Sequence, residues 1–179
     1  MKRCTWCNLN NPKYIEYHDH EWGKLNTDEE YLFEMLILES FQAGLSWQCV
    51  LNKREAFKEA YEDFDIDKVI EFDEEKIEQL RNNPNIIRNK LKIKASISNA
   101  KIFKSIQEEY QTFYNYLCTF THGKINYETG KTTSTLSDSI SNDLKKRGMK
   151  FVGSTIIYSF LQAIGVIYSH EKDCFLYKD

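Results

Sequence analysis

Asp143-Leu144-Lys145-Lys146-Arg147-Gly148-Met149-Lys150-Phe151-Val152-Gly153-Ser154-Thr155 is the stretch on which the reading of this chain turns. A helix that Ser137 can cap ends in a basic cluster near Arg147. Gly148 breaks it, a tight connection follows, and Gly153 opens an apolar helix. The exposed N–H groups of that helix start, the hydroxyls of Ser154 and Thr155 and the ammonium of Lys150 suit a DNA phosphate. This is the arrangement of a helix-hairpin-helix element. An ordinary helical turn with a basic surface fits the same letters.

Outward from this stretch the periodicity is helical almost throughout. Thr27-Asp28-Glu29-Glu30 offers an N-cap with Glu30 at the capping-box position, and Tyr31, Met35 and Leu38 begin an apolar stripe. Gly44 ends that helix, and Trp47 to Tyr61 reads as another. Short helices follow over Asp65 to Ile70 and Asp73 to Arg81, then a break at Asn82-Asn83-Pro84. Ile87 to Tyr110 and Tyr114 to Phe120 are helical, and His122 to Thr135 is a polar loop. No strand, repeat or linker is evident. The expectation is an all-α globule forming one domain over residues 1–179.

Composition agrees. With 41% apolar residues, 14% aromatics, 7 glycines and 2 prolines, the chain has a core to pack and few turns to make. Disorder is excluded, and the scarcity of turn residues argues against a β-sandwich or barrel. The longest uncharged run, Phe151 to Ser169, contains Gly153, Ser154, Thr155, Ser159, Gln162 and Gly165 and suits a buried helix better than a membrane span. The amino terminus lacks a signal peptide's apolar region. A soluble, cytoplasmic protein is expected, its five cysteines serving as thiols or metal ligands.

The net charge of −3 excludes a uniformly basic surface but hides an asymmetry. Glu59 to Glu78 carries ten acidic residues against Lys68 and Lys76, a net of −8, so the remainder carries +5. Asn85 to Gln107 holds Arg88, Lys90, Lys92, Lys94, Lys101 and Lys104 with no acid. Such runs are either solvated helix faces or, for the basic one, a phosphate-binding face.

Soft metal ligands gather at the two ends: Cys4, Cys7, His18 and His20 near one, His170 and Cys174 near the other. One helical turn would point His170 and Cys174 at a single ion, and a Cys₂His₂ set is a zinc environment. Such an ion would clip the termini together; buried thiols and surface histidines are the alternative. Aromatic residues also crowd the amino-terminal third, with Trp6, Tyr14, Tyr17, Trp22 and Trp47. Glu39 lies in the apolar run Leu36-Ile37-Leu38-Glu39-Ser40-Phe41. A buried carboxylate needs a partner, which a cationic or hydrogen-bond-donating ligand between aromatic rings would supply. Escape to solvent or pairing with an arginine would also serve.

Together the segments Arg3-Cys4-Thr5-Trp6, Tyr14-Ile15-Glu16-Tyr17-His18-Asp19-His20-Glu21-Trp22-Gly23, Leu38-Glu39-Ser40-Phe41-Gln42-Ala43-Gly44-Leu45-Ser46-Trp47, Ile86-Ile87-Arg88 and Leu144 to Gly153 resemble the bacterial 3-methyladenine DNA glycosylase I family. The resemblance runs from Arg3 to Cys174 and is weakest across His122 to Thr135. It implies a helix-hairpin-helix glycosylase fold with one structural zinc ion on Cys4, His18, His170 and Cys174. It implies a base pocket of Tyr17, Glu39 and Trp47 with Trp6 and Trp22 nearby. Glu39 would accept hydrogen bonds from the adenine edge as the catalytic residue, and Trp47 would stack on the base. Gly44 and Leu45 would wedge the gap in the duplex, and Lys150, Gly153, Ser154 and Thr155 would hold its backbone. The implied activity is hydrolysis of 3-methyladenine from double-stranded alkylated DNA by a monomer, leaving free 3-methyladenine as product. No lysine is evident at a nucleophile position within the Tyr17/Glu39/Trp47 pocket, so strand cleavage is not expected. A non-enzymatic, zinc-stabilised sensor of alkylated DNA is the alternative; a zinc hydrolase would need an open metal position. Two departures stand out: Cys7 offers a second thiol beside Cys4, and Phe41 replaces a more usual polar residue at the pocket rim. Related glycosylases keep a catalytic aspartate about twenty residues beyond the hairpin, a spacing that lands on Asp173, though this family generally does without it.

Overall fold

The computed structural model describes residues 1–178. Its first helix, α1 (Pro12–His20), has Pro12 in its first turn and Asn11 accepting from Lys13 N. At the centre is α2 (Glu29–Gln42), in which every residue from Leu32 to Phe41 is buried. Around it run α3 (Trp47–Asn52), α4 (Arg54–Ala60), a 3₁₀ turn at Glu62–Phe64, α5 (Ile66–Val69), α6 (Glu74–Asn82), α7 (Lys90–Tyr110), α8 (Phe113–Thr121), α9 (Thr135–Lys146) and α10 (Ser154–Ala163). α2 packs against α3, α7, α8 and α10, and α9 packs on α10. The all-α class and the hairpin between α9 and α10 stand as read from the sequence.

Several local readings need correction. Asp28 rather than Thr27 caps α2, accepting from Tyr31 N at 2.9 Å. Glu29 instead reaches across to accept from Phe113 N and Tyr114 N, capping α8. For α9 the cap is Ser134, with Ser137 as the reciprocal member of a capping box. The expected helix from Trp47 to Tyr61 is two helices, broken at Lys53. The loop from His122 to Thr135 contains a two-residue strand, β1 (Asn126–Tyr127), paired in parallel with β2 (Ile167–Tyr168). α10 therefore ends at Ala163, well short of Ser169, because Gly165 turns the chain with φ +78°. A Cβ at Gly165 would sit 2.2 Å from the backbone of Lys24 and Leu25. That close approach lets Gly23 N donate to Gln162 O and Asn26 N to Ile164 O, fastening the amino-terminal segment to the end of α10.

The acidic segment is not merely solvated. Glu74 pairs with Lys94 and Asp67 with Lys104, both at 2.7 Å, so α5 and α6 neutralise part of the basic side of α7. Lys92 is buried, donating to the carbonyls of Phe41 and Ala43 at the carboxyl end of α2. Of the expected phosphate-facing run, Arg88, Lys90 and Lys101 stay exposed and without an ion pair among the described residues.

Candidate active site and metal centre

α1, α2, α3 and α10 converge on a cavity of about 320 Å³ lined by Trp6, Tyr14, Tyr17, Trp22, Glu39, Gln42, Trp47, Lys131, Ser159 and Gln162. All five residues expected in a base pocket are brought together. Tyr17 and Trp47 face each other with ring centroids 5.4 Å apart; Trp6 contacts Trp22 edge-on at 4.7 Å and Tyr14 at 5.6 Å. Such walls accept a flat ring and attract an electron-poor one.

Glu39 is 3% exposed, and its Oε2 has no hydrogen-bond partner among the described residues. The arginine alternative fails because Arg54 is bonded to Glu21 and Glu34 instead. Burial pushes the Glu39 carboxyl up to about 8, so near neutral pH it largely keeps its proton. Trp47 Nε1 is also buried and unpartnered. Two polar atoms without a protein partner among the cavity-lining residues are available to a polar ligand.

Behind this wall lies a metal-competent cluster. The ligand atoms of Cys4, His18, His170 and Cys174 lie within 4.8 Å of one another, and all four residues are buried. Cys4 Sγ is 3.4 Å from His170 Nδ1, and Cys174 Sγ is 3.5 Å from His18 Nε2. The other His18 nitrogen contacts Asp19 at 2.7 Å, and Arg3 forks onto the same carboxylate, holding it down at about 2. A carboxylate behind an imidazole fixes its tautomer and orientation. Two sulfur and two nitrogen donors suit a tetrahedral divalent ion. His170 and Cys174 meet through a turn closed by Cys174 N on Glu171 O, rather than through the expected helix. Trp6 packs on His18 and Trp22 on His170, so the cluster props the cavity's tryptophans.

Other candidates fall elsewhere. Cys7 lies outside the cluster, its thiol directed at the Tyr14 carbonyl. His20 is exposed beside Glu16, and Asp173 is exposed and paired with Lys2. Phe41 is not a rim residue at all: it is fully buried against Phe57 and Tyr61.

Gly44 and Leu45 form an exposed tip between Gln42 and Trp47, with Leu45 42% exposed. Lys150 projects into solvent while Asn99 holds its backbone N–H and carbonyl. Gly153 is the N-cap of α10, Thr155 is exposed, and Ser154 Oγ is bonded to Ser137 Oγ at 2.8 Å. Arg147 is taken up by Asp143 and Glu109.

Gln42, Ser159, Gln162 and Lys131 were not expected in the cavity. Gln42 could have been found, since it lies three residues after Glu39 on the same helix face. Ser159 and Gln162 share that spacing on α10. Lys131 carried no signal; it borders the cavity with its ammonium paired to Glu128.

Residues 6–177 match the family model for methyladenine glycosylase. The chain is 42% identical over 183 positions to DNA-3-methyladenine glycosylase 1 of Escherichia coli (strain K12), covering 99% of this chain and 97% of that one. A crystal structure of 3-methyladenine DNA glycosylase I superimposes with a TM-score of 0.94 at 40% identity, covering 99% of this chain and 100% of the other. A structure of the Staphylococcus aureus enzyme, which addresses its recognition of 3-methyladenine, gives 0.92 at 35% identity, covering 98% and 96%.

Proposed function

This chain belongs to the methyladenine glycosylase family, and from that premise we propose that it excises 3-methyladenine from alkylated DNA by hydrolysing the N-glycosidic bond. The observation that carries the reading is Glu39, a buried carboxyl with a free oxygen on the wall of an aromatic cavity.

Methylation at N3 makes the base cationic and weakens its bond to the sugar. The damaged nucleotide unstacks more cheaply than an intact one and swings into the cavity, where Tyr17 and Trp47 flank the ring. A cation beside Glu39 favours the carboxylate, so the proton held in the free protein is released and an ion pair forms. Neutral adenine offers no such charge. As the C1′–N9 bond breaks, its electron pair goes to the base, which leaves neutral; water adds to C1′ and gives up a proton. Leaving-group protonation is unnecessary, so the protein's task is to flip, orient and select.

Leu45 fills the space left in a double-stranded substrate, while Lys150, Ser154, Thr155 and the N–H groups after Gly153 hold the backbone. Cys4, His18, His170 and Cys174 would hold one zinc ion, which when bound would act structurally by tying the two ends of the chain together. The chain acts as one domain and a monomer, in the cytoplasm where its DNA lies.

Incubation with N-methylated duplex DNA, with separation and identification of the released bases, tests this. Release of free 3-methyladenine without strand cleavage is the expected result. Binding without release would make the protein a sensor instead.

A further inference from the structure

Lys131 stands on the ridge between two hollows. One is the base cavity; the other is a cleft of about 370 Å³ walled by Asn126, Tyr127, Thr133, Ser134, Thr135 and Leu136, with the Glu128 carboxylate also on its wall. The loop that carries it is rooted beside α10. β1 pairs with β2, and Glu128 N donates to Tyr168 O at 3.1 Å. Lys131 Nζ donates to Glu128 Oε2 at 2.5 Å, yet the lysine side chain is 54% exposed against 14% for Glu128. An ammonium has three donors, and only one is engaged here.

We propose that Lys131 grips a phosphate of the flipped nucleotide, and that the neighbouring cleft takes the adjoining sugar–phosphate segment. The inference rests on the glycosylase reading. A base seated in the cavity is tethered through its sugar to two phosphates, which have to lie at the rim. Lys131 is the only cation lining that cavity among the described residues, and the cleft beyond it offers hydroxyl and amide donors suited to phosphate and sugar oxygens. The charges are consistent as well. A bare ammonium at the mouth would repel a cationic base. Glu128 neutralises it in the free protein, and a phosphate does so in the complex. Glu128 thus presents the lysine and competes with DNA for it. The nucleophilic alternative, attack on C1′ to form a Schiff base, needs a neutral amine, which pairing with a carboxylate opposes.

The experiment uses a duplex carrying a stable abasic-site analogue, with binding measured across a salt series. Binding of free 3-methyladenine, read by tryptophan fluorescence, and excision from methylated duplex are measured in parallel. Lys131→Gln should weaken duplex binding by about fivefold and lower the salt slope by about one, with Lys131→Arg near the parent. Free-base binding should stay at the parent value in both. Glu128→Gln should bind duplex as well as the parent or better, because it removes the competitor. If Lys131→Gln matches the parent in affinity and slope, the proposal is overturned. It is also overturned if both variants weaken binding alike, since the pair would then be a loop staple. A borohydride-trapped adduct present in the parent and lost in Lys131→Gln would make the lysine a nucleophile. Failure of the parent to release 3-methyladenine strikes the glycosylase reading alone, because the duplex-binding measurements read Lys131 without turnover.

Discussion

Glu39 concentrates the tension between stability and function in one side chain. Its carboxyl moves from the ordinary 4.5 to about 8 on folding, through burial alone. Between those values the unfolded chain has released a proton that the folded chain keeps, so stability falls as pH rises across the window. The slope is about 1.4 kcal/mol per pH unit at most. Glu39→Gln removes it. Thermal melting from pH 5 to pH 8.5 should show the parent losing more stability than the variant, with the variant the more stable above pH 8. Parallel curves would mean that the carboxyl is not held protonated. The same substitution should cost activity. A cationic base loses its ion-pair partner, and single-turnover excision should fall at least tenfold, a loss of about 1.4 kcal/mol or more. Affinity for undamaged duplex should not change, because Glu39 lies inside and the duplex docks outside.

At the scale of elements, the proposed function makes α10 the link between backbone and base. Its first turn carries Ser154 and Thr155, while Ser159 and Gln162 line the cavity about 7 and 12 Å further along the axis. A phosphate held at the helix start, as proposed, would set how far a nucleotide reaches. Lys150→Glu should weaken binding to all duplex sequences alike and reduce the salt slope by about one, leaving free-base binding intact; isotherms at several salt concentrations decide it. The hairpin was legible because Gly148 and Gly153 punctuate it locally, and the setting of Glu39 because its neighbours from Leu36 to Phe41 are apolar save Ser40. Other features leave little local trace. The break at Lys53 has neither glycine nor proline to mark it. Two-residue strands are too short to show an alternating pattern, so the segment that places Lys131 reads as a plain polar loop. The start of α1 does carry a local mark, an Asn11 cap followed by Pro12 in the first turn. Pairing of Lys94 with Glu74 and of Lys104 with Asp67 joins positions twenty or more residues apart, which no local charge count can see.

Across the whole molecule the two ends of the chain meet behind the cavity. Phe175 N donates to Lys2 O, Thr5 donates twice to the Glu171 carboxylate, and Lys2 pairs with Asp173. These contacts are mostly exposed and individually weak. The buried Cys4, His18, His170 and Cys174 set is the part able to hold the ends firmly, because a metal bound only in the folded state adds its binding free energy to folding. It also bears on the cavity, since Trp6 rests on His18 and Trp22 on His170. His170→Ala removes one donor and unseats Trp22. The parent should contain about one zinc ion per chain by mass spectrometry and the variant almost none. Amide exchange should quicken over residues 2–7 and 170–176 before it does so in α2, and binding of 3-methyladenine should weaken along with it. Cys7→Ser, outside the cluster, should keep the metal, the protection and the affinity. A metal-free parent that melts no lower after chelation would leave the ends held by their exposed pairs alone, and the tryptophan wall without the support ascribed to it.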